Sequence, residues 1–322
     1  MKKCFLSLLS ITVISFAGCQ QSSDTFLSYE DTVNTVNHSV DHQVTQSNFF
    51  AQDIAVITEK ENIGGDDLMT SGAILLINVT ENETIYADHV FDKMYPASLT
   101  KLLTALVVLQ QGELTDTVAI SSNAVKIADV GARVCGYAEG DIITLDALLY
   151  SLIISSGNDA AIAVAEHLGG SVDGFITMMN QEAQRIGAIH SNFVNPHGLH
   201  DDNQYTTAYD IYLVMNELLK HDKFREIISS DSYTVEYVNK NGNPLTKILN
   251  STNTNWNDAS EVPDKLHILG GLSGTTKKSG RCQVLLSKNN KEQEFISIIL
   301  KASNDETMNS QAFHLLSMTI SD

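Results

Sequence analysis

The stretch that most constrains the fold runs from Tyr95 to Leu109, where a proline and small residues lead into an apolar segment. Leucine, alanine and valine fill the positions after Lys101, which is typical of a helix buried on most of its surface. Pro96 is favourable just before a helix or in its first turn, but not inside it. The pattern therefore predicts a central helix that begins near Ser98.

Ser98 and Lys101 are three residues apart, so helical spacing places them on one face. Free N–H groups and the helix dipole favour developing negative charge at a helix start, where Ser98 is expected. A serine becomes a nucleophile when a base takes its proton, and a lysine with a lowered pKa can be that base. The alternative is a helix cap beside a solvated lysine, which the apolar run after Lys101 disfavours.

The beginning of the chain has the features of an export signal. Lys2 and Lys3 precede an apolar run, Phe5 to Ala17, that is too short for a typical membrane span. The run ends in Phe-Ala-Gly-Cys19, which resembles a bacterial lipobox with Phe16 in place of the usual leucine. We expect Cys19 to be lipidated. The alternative is an ordinary signal peptide with an incidental cysteine.

These features predict three regions. Residues 1–18 are expected to be a lipoprotein-type signal peptide, and residues 19–48, rich in polar side chains, a flexible tether. Residues 49–322 are expected to form the folded domain, which is long enough for one large core or two closely packed subdomains.

Composition narrows the range of partners. The formal net charge is −19, which argues against nucleic acid or an anionic membrane surface as the partner. With Cys4 cleaved off and Cys19 lipidated, Cys135 and Cys282 remain, and they either pair or stay as two buried thiols. Neither has the spacing of metal ligands, so no metal site is expected.

Periodicity predicts strands at both ends of the domain and helices between them. Alternating or continuous apolar runs indicate a strand pair within Asp67–Asp88 and a short strand at Val118–Ile120. Helical spacing and later β-like patterns follow, and we expect the N- and C-terminal strands to meet in one sheet covered by helices. The predicted helices are Leu145–Ser155, Asp159–His167, Val172–Gly187, Thr207–Lys220 and Met308–Met318, and the later strands are Tyr233–Val238, Lys265–Thr276, Arg281–Lys288 and Glu294–Lys301.

A second motif joins two predicted helices at Ser155-Ser156-Gly157-Asn158. A hydroxyl and a carboxamide two residues apart on a glycine-containing turn can both face one cleft. Ser156 could then pass a proton to a leaving group, and Asn158 could bind a substrate amide through its donor and its acceptor. The alternative is that both residues cap the next helix.

A third motif, Leu269 to Cys282, is expected to form a strand, a turn and a return strand. A glycine within such a strand allows another backbone or a ligand to approach closely. Together, the three motifs and their order resemble the serine-type D-alanyl-D-alanine carboxypeptidases, which are low-molecular-weight penicillin-binding proteins with S-x-x-K, S-x-N and K-T-G motifs. The resemblance runs from about Ala73 to the C-terminus and includes the blocks Asn192–Leu199 and Tyr205–Asp210.

The resemblance implies an α/β (α+β) sandwich, in which an antiparallel sheet flanked by helices lies beside a helical subdomain. This is the β-lactamase/penicillin-binding-protein transpeptidase-like fold. It implies removal of the terminal D-Ala from peptidoglycan stem peptides that end in D-Ala-D-Ala, and covalent inhibition by β-lactams. No metal or organic cofactor is implied. The lipobox, rather than this resemblance, predicts the location, which is the outer face of the bacterial cytoplasmic membrane with an N-terminal lipid at Cys19.

The resemblance also assigns roles to residues. Ser98 is the implied nucleophile, Lys101 its base and Ser156 a proton relay, and Asn158 is the implied ligand of the substrate amide. Substrate contacts are further implied for the third motif, with an oxyanion hole made by the backbone N–H groups of Ser98 and Thr275. The implied substrate-binding set is Asn158, Ser273, Gly274 and Thr275.

The third motif departs from the family at its first position. Where the family has Lys-Thr-Gly, this chain has Leu272-Ser273-Gly274, which removes an ammonium that favours the substrate carboxylate. The segment from Asn250 to Asn255, where some relatives have a basic residue, has none. Such a loss typically lowers a rate roughly 10²–10³-fold. Lys277, Lys278 and Arg281 are candidate substitutes, although turn positions favour interpreting them as solvated charges.

Two functional hypotheses therefore stand. The first is an active, slow carboxypeptidase. The second is a catalytically weakened relative that binds stem peptides or a cell-wall partner. A β-lactamase is a third hypothesis. The blocks around Asn195 and Tyr205 disfavour it, because they resemble those of the carboxypeptidases. His197 is interpreted as structural, because Ser–Lys chemistry leaves no role for an imidazole.

Overall fold

A five-stranded antiparallel sheet joins the two ends of the folded region, in a computed structural model that describes residues 53–57, 66–127, 131–252 and 265–320. Its strand order is β2-β1-β9-β8-β7. Ala73 on β1 lies opposite Leu300 on β9, so the first and last strands pair as predicted. The strands of this sheet are β1 Ala73–Asn78, β2 Glu83–Asp88, β7 Leu266–Thr276, β8 Gly280–Asn289 and β9 Glu294–Ala302.

A second antiparallel sheet of four strands has the order β3-β4-β5-β6. The sequence pattern predicts β3 and β5 but no second sheet. The strands that were not predicted lack a strong apolar pattern, because β4 has only three residues and β6 is largely exposed. These strands are β3 Thr117–Ala119, β4 Ile142–Thr144, β5 Ser232–Val238 and β6 Pro244–Asn250.

Helices fill the region between the strands in sequence. Several begin at a side-chain cap that the sequence displays, including Thr144, whose hydroxyl accepts from the Ala147 N–H, and Thr207, which accepts from the Asp210 N–H. The described helices are α1 Thr100–Gln111, α2 Ser122–Val125, α3 Leu145–Ile153, α4 Asn158–Gly169, α5 Val172–Arg185, α6 Ala208–Leu218, α7 Asp222–Ile228 and α8 Asp305–Ser317.

The five-stranded sheet separates two hydrophobic clusters. Ile296, Ile298 and Leu300 on β9 belong to the large cluster that contains α1, while Phe295 and Ile299 belong to a smaller cluster with α8. This alternation follows from the two-residue period of a strand. The predicted α+β sandwich is therefore confirmed, with helices on both faces of the sheet.

Helix α1 lies inside the large cluster, where every side chain from Thr100 to Val108 is buried. A helix surrounded in this way holds its first turn in a fixed position relative to the sheet. None of the helices in the described part of the chain has the length and apolar composition that a membrane span needs.

Candidate active site

Ser98 lies in a short 3₁₀ turn, Ala97–Leu99, that leads directly into α1. Pro96 precedes the turn with φ −73°, which is the position that the sequence predicts for it. Ala97 has φ +48°, a left-handed conformation that is unfavourable for alanine. The chain therefore reaches Ser98 through a strained residue, which the surrounding structure must hold in place.

The side chain of Lys101 returns to Ser98 along one face of the helix. Its Nζ lies 3.3 Å from Ser98 Oγ and donates a 2.7 Å hydrogen bond to the His197 carbonyl oxygen. Lys101 is fully buried. The sequence therefore located this pair, but it gave no sign that a carbonyl 96 residues away holds the amine.

The pKa of Lys101 is lowered to about 7, mainly by burial and to a smaller extent by the positive charge of Arg133. The carboxylate of Asp159 acts in the opposite direction. At neutral pH a substantial fraction of this amine is therefore uncharged and can accept a proton from the Ser98 hydroxyl.

Ser156 and Asn158 lie on the turn between α3 and α4. Gly157 is the N-cap of α4 and no side chain caps that helix, so the capping interpretation of Ser156 and Asn158 is wrong. Ser156 has φ +54°, and its Oγ is buried without a hydrogen-bond partner among the described residues. A strained residue with an unpaired buried hydroxyl is typical of a functional position.

The third motif passes beside Ser98 as the edge strand β7. A Cβ added to Gly274 would lie 2.5 Å from the Ser98 backbone nitrogen, so only glycine allows this approach. Ser273, Gly274 and Thr275 all line a cleft of about 360 Å³ together with Ser98, Ser156 and Asn158. The structure thus brings six of the seven predicted catalytic and substrate-binding residues to one cavity, with Lys101 buried beneath it.

Leu272 precedes these residues on β7 but is not part of the cleft lining. It is paired with Val284 on β8, and both side chains are fully buried in the large hydrophobic cluster. The position that carries an ammonium in the family therefore holds a hydrocarbon side chain in contact with the core.

His197 lines the cleft, although the sequence indicated only a structural role. Burial lowers the pKa of its imidazole to about 3, and the nearby Lys101 contributes. Its Nδ1 accepts a hydrogen bond from the Leu199 N–H, so the neutral ring carries its proton on Nε2. The Asn195–Leu199 turn that holds it is fixed by the Asn195 side chain, which binds the Gly198 N–H and the Leu199 carbonyl.

Three charged residues also line the cleft, and of these only Arg281 is a candidate that the sequence suggests. Arg133 and Asp305 are part of the lining, and Arg281 joins them through an ion pair between its Nε and Asp305 Oδ1 at 2.9 Å. Lys277 and Lys278 are exposed and lie outside the lining. Arg133 has no local signal, because its position depends on contacts with residues more than twenty positions later.

The loop that carries Arg133 is bound to the start of α4. The Arg133 carbonyl accepts from the Asn158 N–H at 2.8 Å, and the Asp159 carboxylate accepts from the Cys135 and Gly136 N–H groups at 2.8 Å each. A Cβ on Gly157 would overlap the Cys135 sulfur. The loop and the Ser156–Asn158 turn therefore form one packed unit.

The two cysteines of the folded region are free thiols in the described residues. Cys135 is partly buried beside the Ser151 carbonyl, and burial raises the pKa of its thiol to about 12. Cys282 is fully buried, and its pKa is raised to about 11 for the same reason. Both thiols are therefore protonated and unreactive at neutral pH.

Other expectations lie outside the described residues. They include the leader 1–18, the tether 19–48 with Cys19, and residues 253–255 of the segment without basic side chains. No group of three or more potential metal ligands occurs among the residues that the structure describes.

Comparison with known proteins gives consistent matches. A family described as D-alanyl-D-alanine carboxypeptidase matches residues 58–304. The D-alanyl-D-alanine carboxypeptidase DacF of Bacillus subtilis is 25% identical over 255 residues, which cover 77% of this chain and 61% of that protein. DacA of Haemophilus influenzae is 31% identical over 191 residues, covering 56% and 49% respectively. The chain thus spans about half to three fifths of these relatives' lengths.

Among solved structures, the Streptomyces K15 DD-transpeptidase matches with a TM-score of 0.71 and 24% identity, over 78% of this chain and 97% of that one. The D-alanyl-D-alanine carboxypeptidase DacD of Francisella tularensis matches with a TM-score of 0.67 and 22% identity, over 82% and 72%. At these identities the likeness concerns the fold.

Proposed function

This chain belongs to the D-alanyl-D-alanine carboxypeptidase family, and from that membership we propose that it removes the terminal D-Ala from peptidoglycan stem peptides. The observation that carries the proposal is the contact between Lys101 Nζ and Ser98 Oγ, 3.3 Å apart at the bottom of the cleft, with the pKa of the lysine lowered to about 7. Serine acyl transfer without a cofactor requires such a pair.

In the proposed reaction, neutral Lys101 takes the proton of Ser98 Oγ as that oxygen attacks the carbonyl carbon of the penultimate D-Ala. The backbone N–H groups of Ser98 and Thr275 stabilise the oxyanion. Ser156 passes the proton from Lys101 to the amine of the departing D-Ala, and Asn158 holds the peptide amide. Water then attacks the ester on Ser98 and releases the shortened peptide. A β-lactam acylates the same oxygen.

The experiment uses the full-length chain in detergent with two probes, a fluorescent penicillin and a diacetyl-L-Lys-D-Ala-D-Ala peptide. We expect covalent labelling together with release of D-Ala, and both should be lost in Ser98→Ala. Ser229→Ala, an exposed serine after α7, is the control and should retain both. Labelling that persists in Ser98→Ala would contradict the assignment of the nucleophile.

A second candidate is a weakened relative that binds stem peptides or a cell-wall partner without useful turnover. It is favoured by Leu272, whose hydrocarbon side chain is fully buried and gives the cleft no charge. Labelling without release of D-Ala would select this candidate over the enzyme. Absence of both labelling and hydrolysis would mean that Ser98 forms no acyl-enzyme, with the peptide or with penicillin.

The proposed location is the outer face of the cytoplasmic membrane, with a lipid on Cys19. The support comes from the sequence, in which two lysines and a short apolar run precede Cys19. Expression in a bacterium with radioactive palmitate should label the protein. Cys19→Ala should abolish the label and release the protein from membranes, whereas Cys4→Ala should have no effect. Labelling that survives in Cys19→Ala would refute the anchor.

A further inference from the structure

The cleft has to attract an anionic peptide without an ammonium at position 272. Leu272 is fully buried on the core face of β7, whereas the cleft residues Ser273 and Thr275 follow on the same strand. Any charge that recognises a substrate carboxylate must therefore come from another part of the lining.

Two cations belong to the described lining, and only one is balanced there. Arg281 is paired with Asp305 at 2.9 Å, and both side chains line the cleft, so together they contribute little net charge. Arg133 is exposed at the cleft wall, and its guanidinium has no ion-pair or hydrogen-bond acceptor among the residues that the structure describes. Arg133 is thus the source of net positive charge.

The backbone of Arg133 is held relative to the substrate-binding turn. Its carbonyl accepts from the Asn158 N–H at 2.8 Å, and the next residues are bound by the Asp159 carboxylate and by Lys247, whose Nζ donates to the Cys135 carbonyl at 2.7 Å. The Arg133 side chain can therefore extend into the cleft while the Arg133 backbone keeps a fixed position relative to Asn158. The Arg133 charge also acts on Lys101, beneath the cleft.

We propose that Arg133 is the substrate-binding cation of this cleft and that its guanidinium binds a carboxylate of the peptide, in place of the ammonium lost at position 272. The inference rests on the proposed function, since it takes the bound peptide as the ligand. An arginine suits this role because its planar fork can hold both oxygens of a carboxylate. The carboxylate is either the C-terminal one of the peptide or one on a side chain of the stem.

The test measures peptide binding by calorimetry with the full chain carrying Ser98→Ala, which cannot turn the peptide over. Hydrolysis is measured with the full chain that retains Ser98. The variants are Arg133→Gln, Arg133→Lys and Arg281→Gln, the last of which tests the other cation of the lining. The matched control is Lys278→Gln, because Lys278 is exposed and lies outside the lining. Three probes are used, of which the first is diacetyl-L-Lys-D-Ala-D-Ala and the second is the same peptide with a C-terminal carboxamide. A third probe carries an acidic residue in place of the diacetyl-lysine and a C-terminal carboxamide.

We expect Arg133→Gln to weaken binding of the first probe about tenfold or more, which is typical of a lost charge-assisted hydrogen bond. Arg133→Lys should recover part of the loss, and Lys278→Gln should change binding less than about threefold. Arg281→Gln should weaken binding less than Arg133→Gln does. A loss confined to the first probe identifies the C-terminal carboxylate as the ligand. A loss confined to the third identifies a side-chain carboxylate.

The proposal is overturned if Arg133→Gln binds all three probes as tightly as the parent, or weakens them equally. It is also overturned if Arg281→Gln causes the larger loss, which would make Arg281 the ligand. Binding is measured without turnover. If the protein that retains Ser98 fails to hydrolyse the peptide, the proposed enzyme is refuted, but the binding data still decide the role of Arg133.

Discussion

Lys101 combines two properties that rarely occur together, complete burial and a functional amine. In the unfolded chain its pKa is near the ordinary value for lysine, and in the folded chain burial lowers the pKa to about 7. The folded state therefore binds fewer protons than the unfolded state between about pH 7 and pH 10, so stability rises with pH over this window.

Lys101→Met tests this directly, because methionine has a similar length and no charge. We expect the variant to gain stability relative to the parent at pH 6, and the gain to shrink by roughly 3 kcal/mol at pH 9 as the parent amine loses its proton. Urea unfolding at the two pH values measures it. Lys277→Met, at an exposed turn, should show no such pH dependence. An equal gain at both pH values would mean that Lys101 keeps its proton in the folded state up to pH 9.

The same residue sets the pH dependence of the proposed activity. Only neutral Lys101 can accept the Ser98 proton, so kcat/KM should rise with pH and level off above about pH 7. Rates of peptide hydrolysis between pH 5 and 9 measure this limb. A rate that stays flat down to pH 5 would exclude Lys101 as the base.

Leu272 is an equally informative position, because its side chain faces the core rather than the cleft. Leu272→Lys should lower the free energy of unfolding by about 3 kcal/mol or more, since the ammonium would be buried without a partner. Leu272→Met, which keeps the volume, should cost less than about 1.5 kcal/mol. Denaturant unfolding compares the two. Equal stability of both variants would mean that the lysine side chain escapes into the cleft.

At the scale of elements, the position of Ser98 depends on the packing of a turn against a helix start. Gly198 has φ +89°, and a Cβ there would overlap the Ala97 carbonyl oxygen. The turn that supplies the His197 carbonyl to Lys101 therefore also packs closely against Ala97, the residue before Ser98.

Gly198→Ala should move this first turn by a fraction of an ångström or more. Displacement of a nucleophile by 1 Å can cost about 10²-fold in rate, so we expect penicillin labelling to slow by a comparable factor. Gly170→Ala is the matched control, because Gly170 also has positive φ but has nothing within 4 Å of the new methyl group. Second-order labelling rates compare the two. Equal rates in both variants would show that the contact does not position Ser98.

At the scale of the whole molecule, the five-stranded sheet couples two hydrophobic clusters. Ile298 and Ile299 are neighbours on β9, yet they belong to opposite clusters and both are almost fully buried. Because β9 pairs with β1 from the other end of the domain, loss of either cluster should release the same sheet.

Ile298→Ala and Ile299→Ala should therefore each lower stability by about 2–5 kcal/mol, and each should leave a single unfolding transition. Ile248→Ala on β6 is the matched control, since that side chain is 66% exposed and should contribute little. Far-ultraviolet and near-ultraviolet circular dichroism during urea unfolding check whether the transitions coincide. Two separated transitions in Ile299→Ala would mean that the α8 layer unfolds independently.

The sequence by itself determined the elements whose signals are local. Apolar periodicity located the long strands and helices, the proline located the start of α1, and i, i+3 spacing brought Lys101 to Ser98. These features depend on residues a few positions apart, so the chain displays them directly. Family motifs extended this to Ser156, Asn158 and the Gly274 strand.

Only the tertiary structure decided what depends on distant contacts. The His197 carbonyl on Lys101, the loop that brings Arg133 to the cleft and the burial of Leu272 each join segments far apart in the chain. Strand β4 forms through pairing with β3 and β5 rather than through an apolar pattern of its own. Backbone hydrogen bonds and packing of this kind have no fixed sequence spacing, and so no local pattern predicts them.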